Sequence, residues 1–342
     1  MTPSLRRLIL LTVIATGCRD SDKRVVVYCA QDEEFAEGVF ADFSAASTLA
    51  VAPKFDTEAN KSVSLAAELE RETSRPRCDV HWNNEILATI RLARLGVYES
   101  YESPGAAAFP EWTKAKDHTW QAFAARARVL IVNTNLVPLA DRPRSMLDLT
   151  DPHWKGKVAI AKPQFGTTAT QAACLFEVLG QDAAKTFYRG LKANNVRVVP
   201  GNKQAAEGVA SGDFAIGLTD SDDALIELNA GKPVAIVFPD PEGHPTHNRM
   251  GVLYIPNTVA VVKGCPNPAG AKQLIDHLLR PETEAKLAAG GGFQIPLNPI
   301  VKADMPAALL PPSKVKPMVV DWDHAADLWD ETQTFLRDEF AR

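Results

Sequence analysis

The sequence predicts an α/β protein built on mainly parallel sheets, and three observations carry that prediction. Short apolar runs of strand length alternate with segments of helical spacing along nearly the whole 342-residue chain. Most runs exit into polar or glycine-containing turns, the rhythm of strand–loop–helix units. The length is enough for two domains, and a composition of 46% hydrophobic and 23% charged residues is that of an ordinary globular protein.

Residues 25–28 read as the first strand and 33–45 as a helix on which Phe35, Val39, Phe40 and Phe43 recur at core-facing spacing. Residues 49–55 form the second strand, 63–71 a helix, 79–82 the third strand and 86–95 a helix closed by Gly96. Ligands of open parallel sheets bind beyond the carboxyl ends of the strands. The three exits, with Gln31 and Asp32, Thr57 and Glu58, and Asn83, Asn84 and Glu85, are therefore candidate site segments. A connection over 99–110 containing Pro and Gly leads through 120–127 into a long apolar strand at 129–132.

A second alternation is organised around residues 154–179. Its strand at 158–161 is followed by a hydroxyl-rich turn and a helix over 169–179 that stops at Gly180. Gly166, Thr167, Thr168 and Thr170 stand at the mouth of that helix, where unpaired N–H groups and the helix dipole favour an anion. One threonine there would simply cap the helix; three threonines and a glycine shift the reading toward a ligand site. Helices at 182–193 and 204–210 and strands at 196–199, 214–218 and 233–238 continue the series. Residues 254–262, interrupted at Pro256-Asn257, read as a bent strand or strand pair; helices follow at 268–279 and 282–289. The tail over 322–340 places Trp322, Ala325, Ala326, Trp329, Leu336 and Phe340 near one helical face.

The first residues are a separate segment. Arg6 and Arg7 precede an apolar run too short to span a bilayer, and Ala15-Thr16-Gly17-Cys18 closes it with small residues. That pattern resembles the lipobox of bacterial lipoproteins, although leucine is usual where Ala15 stands. The expectation is a signal peptide over 1–17, a lipidated Cys18 as mature N-terminus, and a periplasmic or extracytoplasmic address through that lipid. Its removal would move the formal charge from −5 to −7, and an acidic chain without Lys/Arg runs is a poor nucleic-acid binder. Cys29, Cys78, Cys174 and Cys265 are widely spaced; three full pairings are open, and buried free thiols are expected among them.

The most chemically loaded exit holds Thr219, Asp220, Asp222 and Asp223. Its carboxylates repel one another unless a positive group neutralises them, and they suit hard cations. Helix capping by acidic residues and contact with a ligand are equally weighted readings. His244 and His247 read as solvated surface and His81 as a hydrogen-bonded core residue. No HExxH, GxSxG, phosphate-binding glycine loop or CxxC occurs, so no nucleophile or general base is indicated and no cofactor is expected.

Residues 25–297 resemble the ferric-iron-binding-like substrate-binding proteins of bacterial ABC importers. The segments that carry the resemblance include Phe55-Asp56-Thr57-Glu58-Ala59, Asp79-Val80-His81-Trp82-Asn83-Asn84-Glu85 and Arg126-Ala127-Arg128-Val129-Leu130. Trp154-Lys155-Gly156-Lys157-Val158-Ala159-Ile160-Ala161, residues 165–170, 217–223 and Ile255-Pro256-Asn257-Thr258 complete them. The resemblance implies a type II periplasmic binding fold, with two lobes around a cleft for one small solute. It also implies delivery to an ABC-transporter permease and no catalysis. The two βα series place lobe one at 24–128 plus 256–297, and lobe two at 129–255 plus 298–342. A monomer is expected.

Ferric-binding relatives hold iron with adjacent tyrosines at a similar strand exit; aligning Gly217 and Leu218 puts Asp222 and Asp223 there instead. If the solute is Fe(III), Glu58, Glu85, Asp220, Asp222 and Asp223 are the expected oxygen donors, and the threonine mouth holds a synergistic anion. The alternative is a phosphorylated or phosphonate solute bound by residues 166–170. A secreted enzyme using the same cleft ranks third.

Overall fold

The computed structural model describes residues 23–56 and 64–340. Thr57, Glu58, the leader segment and Cys18 lie outside the described residues. No described helix is long and apolar enough to cross a membrane.

The first series is β1 (Arg24–Cys29), α1 (Glu33–Ala46), β2 (Ala50–Phe55), α2 (Ser64–Arg71), β3 (Val80–Asn83), α3 (Ile86–Arg94) and β4 (Tyr98–Glu99). The long β5 (Gln121–Asn133) leads to the second, formed by β6 (Val158–Ala161), α4 (Gly166–Leu179), α5 (Gln181–Ala193), β7 (Arg197–Val199), α6 (Asn202–Ser211), β8 (Ile216–Asp220), α7 (Ser221–Asn229) and β9 (Val234–Val237). The chain ends with β10 (Tyr254–Val262), α8 (Pro268–Leu278), α9 (Pro281–Ala289), α10 (Trp322–Asp327) and α11 (Trp329–Phe340).

The strands follow the order β2-β1-β3-β10-β5-β8-β6-β7, with β4 added to β10 and β9 to β5. Both flanks, β2-β1-β3 and β8-β6-β7, are parallel. Antiparallel pairing is confined to β5 and β10 and the strands beside them. The segments expected at 120–127 and 129–132 are one strand. Its first half pairs with β10 and its second with β8 and β9, and all 13 residues are buried. One apolar cluster packs α1 and α8 under β1, β3 and β10; another packs α4 and α5 under β6 and β8.

The interruption in β10 is a bend: its register against β5 shifts between Pro256 and Asn257. Proline brings no N–H to the ladder, and the opposing Ala124 takes φ +39°. Glu284 of α9 steadies this irregular stretch from within the core. It accepts the N–H groups of Ala124 at 2.6 Å, Leu297 at 3.0 Å and Asn298 at 2.9 Å. Glu284→Ala would strand three buried donors, so an unfolding free energy about 3 kcal/mol lower is expected in urea titration. A change below ~0.5 kcal/mol would show that Glu284 is dispensable to the bend.

Three boundaries differ from the sequence reading in ways that matter for the site. Helix α4 begins at Gly166 rather than 169, because Gly166 at φ +54° turns the extended Phe165 into the helix. Thr167 and Thr168 therefore belong to its first turn. Asn202 opens α6, and Thr219 and Asp220 end β8 rather than lying in an exit loop. The tail breaks at Leu328 into two helices. This lets α10 set Ala325 and Ala326 against Ile86 and Ile90 of α3 and Ala173 of α4. Arg94 of α3 holds it there through Asp323 and Asp327. None of the four described cysteines forms a disulfide, and all four are buried.

Candidate functional site

The parallel register sets Ile160 of β6 beside Leu218 of β8, so both strands end at the same sheet edge. Helices α4, α6 and α7 start there, and their first turns enclose a cleft of about 470 Å³. Asp32 and Asn84 reach it from the exits of β1 and β3. Of the residues expected at the site, Asp32, Asn84, Gly166, Thr167, Thr168, Asp220, Asp222 and Asp223 line this cleft.

The others have different surroundings. Glu85 caps α3: its carboxylate accepts the N–H groups of Leu87 at 2.8 Å and Ala88 at 2.9 Å, and the Thr170 hydroxyl at 2.9 Å. Burial raises its pKa against the pull of these bonds. Its contribution to stability is therefore largest below the ordinary glutamate range and is lost as pH rises through the raised value. Asn83 donates to the Glu85 carbonyl and to Thr89. Thr219 donates to the Asn202 carbonyl at 2.9 Å. Gln31 is buried, and its side-chain amide has no hydrogen-bond partner among the described residues.

Beneath the cleft lies a network that the sequence reading missed. Arg128 is fully buried on β5, directly opposite Asp220 in the ladder. Its Nη1 meets Asp220 Oδ1 at 2.7 Å and Asn202 Oδ1 at 3.0 Å, and its Nε meets Gln171 Oε1 at 3.0 Å. The other Asp220 oxygen accepts the Thr167 hydroxyl at 2.6 Å and the Asn202 amide at 3.1 Å. The Thr168 hydroxyl donates to Asn202 at 3.1 Å. All three threonine hydroxyls of the helix mouth thus donate to protein groups.

Burial works to raise the Asp220 pKa, but Arg128 and Arg126, helped by Thr167, outweigh it and hold the pKa below the usual carboxylate range. A depressed pKa contributes stability that is present above the unfolded value and lost as pH falls through the folded one. The stability gap between the wild type and Asp220→Asn should therefore be constant near neutrality and shrink below about pH 4. Urea midpoints of both proteins between pH 7 and pH 3 check this, and a gap that widens in acid would contradict it.

Arg126, two residues before Arg128 on the same strand face, lies at the cleft itself. It donates to the Asn84 carbonyl, while its Nε is buried with no partner among the described residues. Burial opposes its charge, but the fields of Asp222, Asp220, Asp32 and Asp223 more than compensate and raise its pKa. Two arginines alternating inside an apolar run, AARARVLIV, were the available signal: period-2 geometry puts both on one face, where a charge must have partners.

Asp222 and Asp223 open α7 on the cleft wall, and Asp222 Oδ2 lies 3.3 Å from Gln294 Nε2. Oxygens of Asp220, Asp222 and Asp223 all fall within 4.8 Å of one another, the single such group of potential metal donors among the described residues. A larger groove of about 880 Å³ lies between α3 and α11, and Lys162, Phe165 and Gly166 line both hollows. Among the described histidines, His81 is buried and bonded to Tyr98 at 2.7 Å, and burial pushes its pKa down to about 3.

The pattern of a family described as bacterial extracellular solute-binding protein matches residues 89–327. The chain belongs to that family. The major ferric iron-binding protein of Neisseria meningitidis (serogroup A, serotype 4A) is 26% identical over 340 residues, covering 95% of this chain and 97% of that protein. Iron-bound HitA from Pseudomonas aeruginosa superposes with a TM-score of 0.81 at 22% identity, over 93% of this chain and 99% of that one. AfuA from Actinobacillus pleuropneumoniae, solved with fructose-6-phosphate, gives 0.78 at 24% identity, over 93% and 98%. The fold is that of type II periplasmic binding proteins. As a member of the solute-binding family, the protein binds a small solute and is not an enzyme.

Proposed function

We propose that this solute-binding protein is the capture component of an ABC importer and that its cargo is ferric iron, free or complexed with an anion. One observation carries the reading: a compact group of carboxylates at the end of β8, of which Asp222 and Asp223 line the wall of a cleft open to solute. Hard oxygen donors suit Fe(III). Asp222 and Asp223 are its proposed ligands, and Glu58, outside the described residues, is a third candidate. The ferric-binding names of the relatives point the same way.

Within this reading, residues 24–128 plus 256–297 and residues 129–255 plus 298–342 are two lobes that close on the solute. Cys18 carries a lipid that tethers a monomer near its permease. A second reading, a phosphorylated or phosphonate solute, is favoured by the unpartnered Nε of Arg126 at the cleft, together with the N–H groups at the start of α4.

Calorimetry of the apo protein with ferric citrate, fructose 6-phosphate and 2-aminoethylphosphonate separates the readings. Saturable 1:1 binding of ferric citrate alone is the expected result. Binding of either phosphorus compound with no response to iron would replace the first reading by the second.

A further inference from the structure

We propose that Asp220 is a resident anion that determines specificity: it fills the cradle formed by Arg128, Thr167 and Asn202 and thereby keeps a solute's own anionic group out of it. The cradle has the chemistry of an oxyanion site, with a guanidinium, a hydroxyl and a carboxamide converging on one point. Here that point is occupied by the chain itself. Asp220 Oδ1 takes Arg128 Nη1 at 2.7 Å, while Oδ2 takes Thr167 Oγ1 at 2.6 Å and Asn202 Nδ2 at 3.1 Å. Arg128 is fully buried and Asp220 is 3% exposed, so their direct contact is shielded from solvent.

The occupation is fixed by topology. Asp220 and Arg128 are register partners in adjacent strands, and Thr167 and Asn202 begin the two helices that follow β6 and β7. An incoming phosphate or carboxylate would meet a carboxylate already seated on the same donors, and two like charges at that distance cannot share them. The cradle is therefore electrically neutral toward the cleft. Of the arginines beside it, Arg126 is the one that faces the solute, and any anionic part of a solute is held there instead. Asp220 consequently acts as a structural anion, and direct ligation of the cargo falls to Asp222 and Asp223.

The test uses no iron, so its outcome stands apart from the identity of the cargo. Thermal midpoints of the full-length wild type, Asp220→Ala, and Asp220→Ala combined with Arg128→Met are recorded against sodium formate and inorganic phosphate, with chloride as the ionic-strength control. Removing the Asp220 carboxylate leaves a carboxylate-sized vacancy beside Arg128. The Asp220→Ala midpoint should rise with formate by about 2 °C at a tenfold excess over its dissociation constant. The wild type and the double variant should respond only through the anion held at Arg126, which all three proteins share, and so by less than Asp220→Ala. A folded Asp220→Ala protein that responds no more than the wild type, or a double variant that responds as strongly as Asp220→Ala, overturns the proposal. If Asp220→Ala does not fold, phosphate calorimetry on the wild type and Thr167→Val decides. Affinity that is unchanged or undetectable in both supports a closed cradle, and a tenfold or greater loss in Thr167→Val overturns it.

Discussion

Ferric binding should fall by ~10²–10⁴-fold when Asp222 and Asp223 are both replaced by alanine, the sum of two charged interactions of roughly 1.5–3 kcal/mol each. Both carboxylates stand in the first turn of α7 and line the cleft, and the helix N-terminus behind them tolerates their negative charge. Removing them takes away a pair of hard donors while leaving the Asp220–Arg128 contact below in place. Equilibrium dialysis with radioactive iron and a competing chelator measures the loss directly. The single variants matter too: if one alone reproduces the full effect, the other is only a cap. Unchanged affinity in the double variant would remove the ferric reading from this cleft.

The largest effect on stability is expected at Arg128. Arg128→Met leaves the buried carboxylate of Asp220 without its directly bonded counter-charge and Gln171 without a donor, while Asn202 keeps only the Thr168 hydroxyl. Breaking such a pair from one side costs ~3–5 kcal/mol, which in a chain of this size lowers the thermal midpoint by about 4–7 °C. Adding Asp220→Asn should return part of the loss, because the stranded charge disappears with it. A double variant as unstable as the sum of the two singles would mean that the residues act independently, against the 2.7 Å contact between them.

Much of the architecture was legible because it depends on local patterns. The run over 158–161 is a strand with those bounds, Gly180 ends α4 at φ +82°, and the alternation of strands and helices holds through both series. The candidate site was legible in position but not in partnership. The described exits of β1, β3, β6 and β8 line one cleft, yet nothing near Glu85 in sequence says that its carboxylate is spent on the two N–H groups ahead of it and on Thr170. Arg128 and Asp220 are 92 residues apart, and their pairing follows from the β5–β8 register, which local composition does not encode. The same holds for Asn202. A polar residue at a helix start reads as a cap until its neighbours across the sheet are known.

The late arrival of β10 has a consequence for how the molecule comes into being. Thr258 pairs with Asn83 and Tyr254 with Ala127, so β3 and the first half of β5 have an empty flank until residues 254–262 take their place. Contacts of such long sequence separation slow folding, since the intervening chain must be ordered before they reward it. A partly folded chain is therefore held in an incomplete state with two bare strand edges, a state open to sticking and to handling by other proteins. Chains cut short before Tyr254 should accumulate as insoluble material, whereas those ending shortly after α9 should already possess a closed sheet.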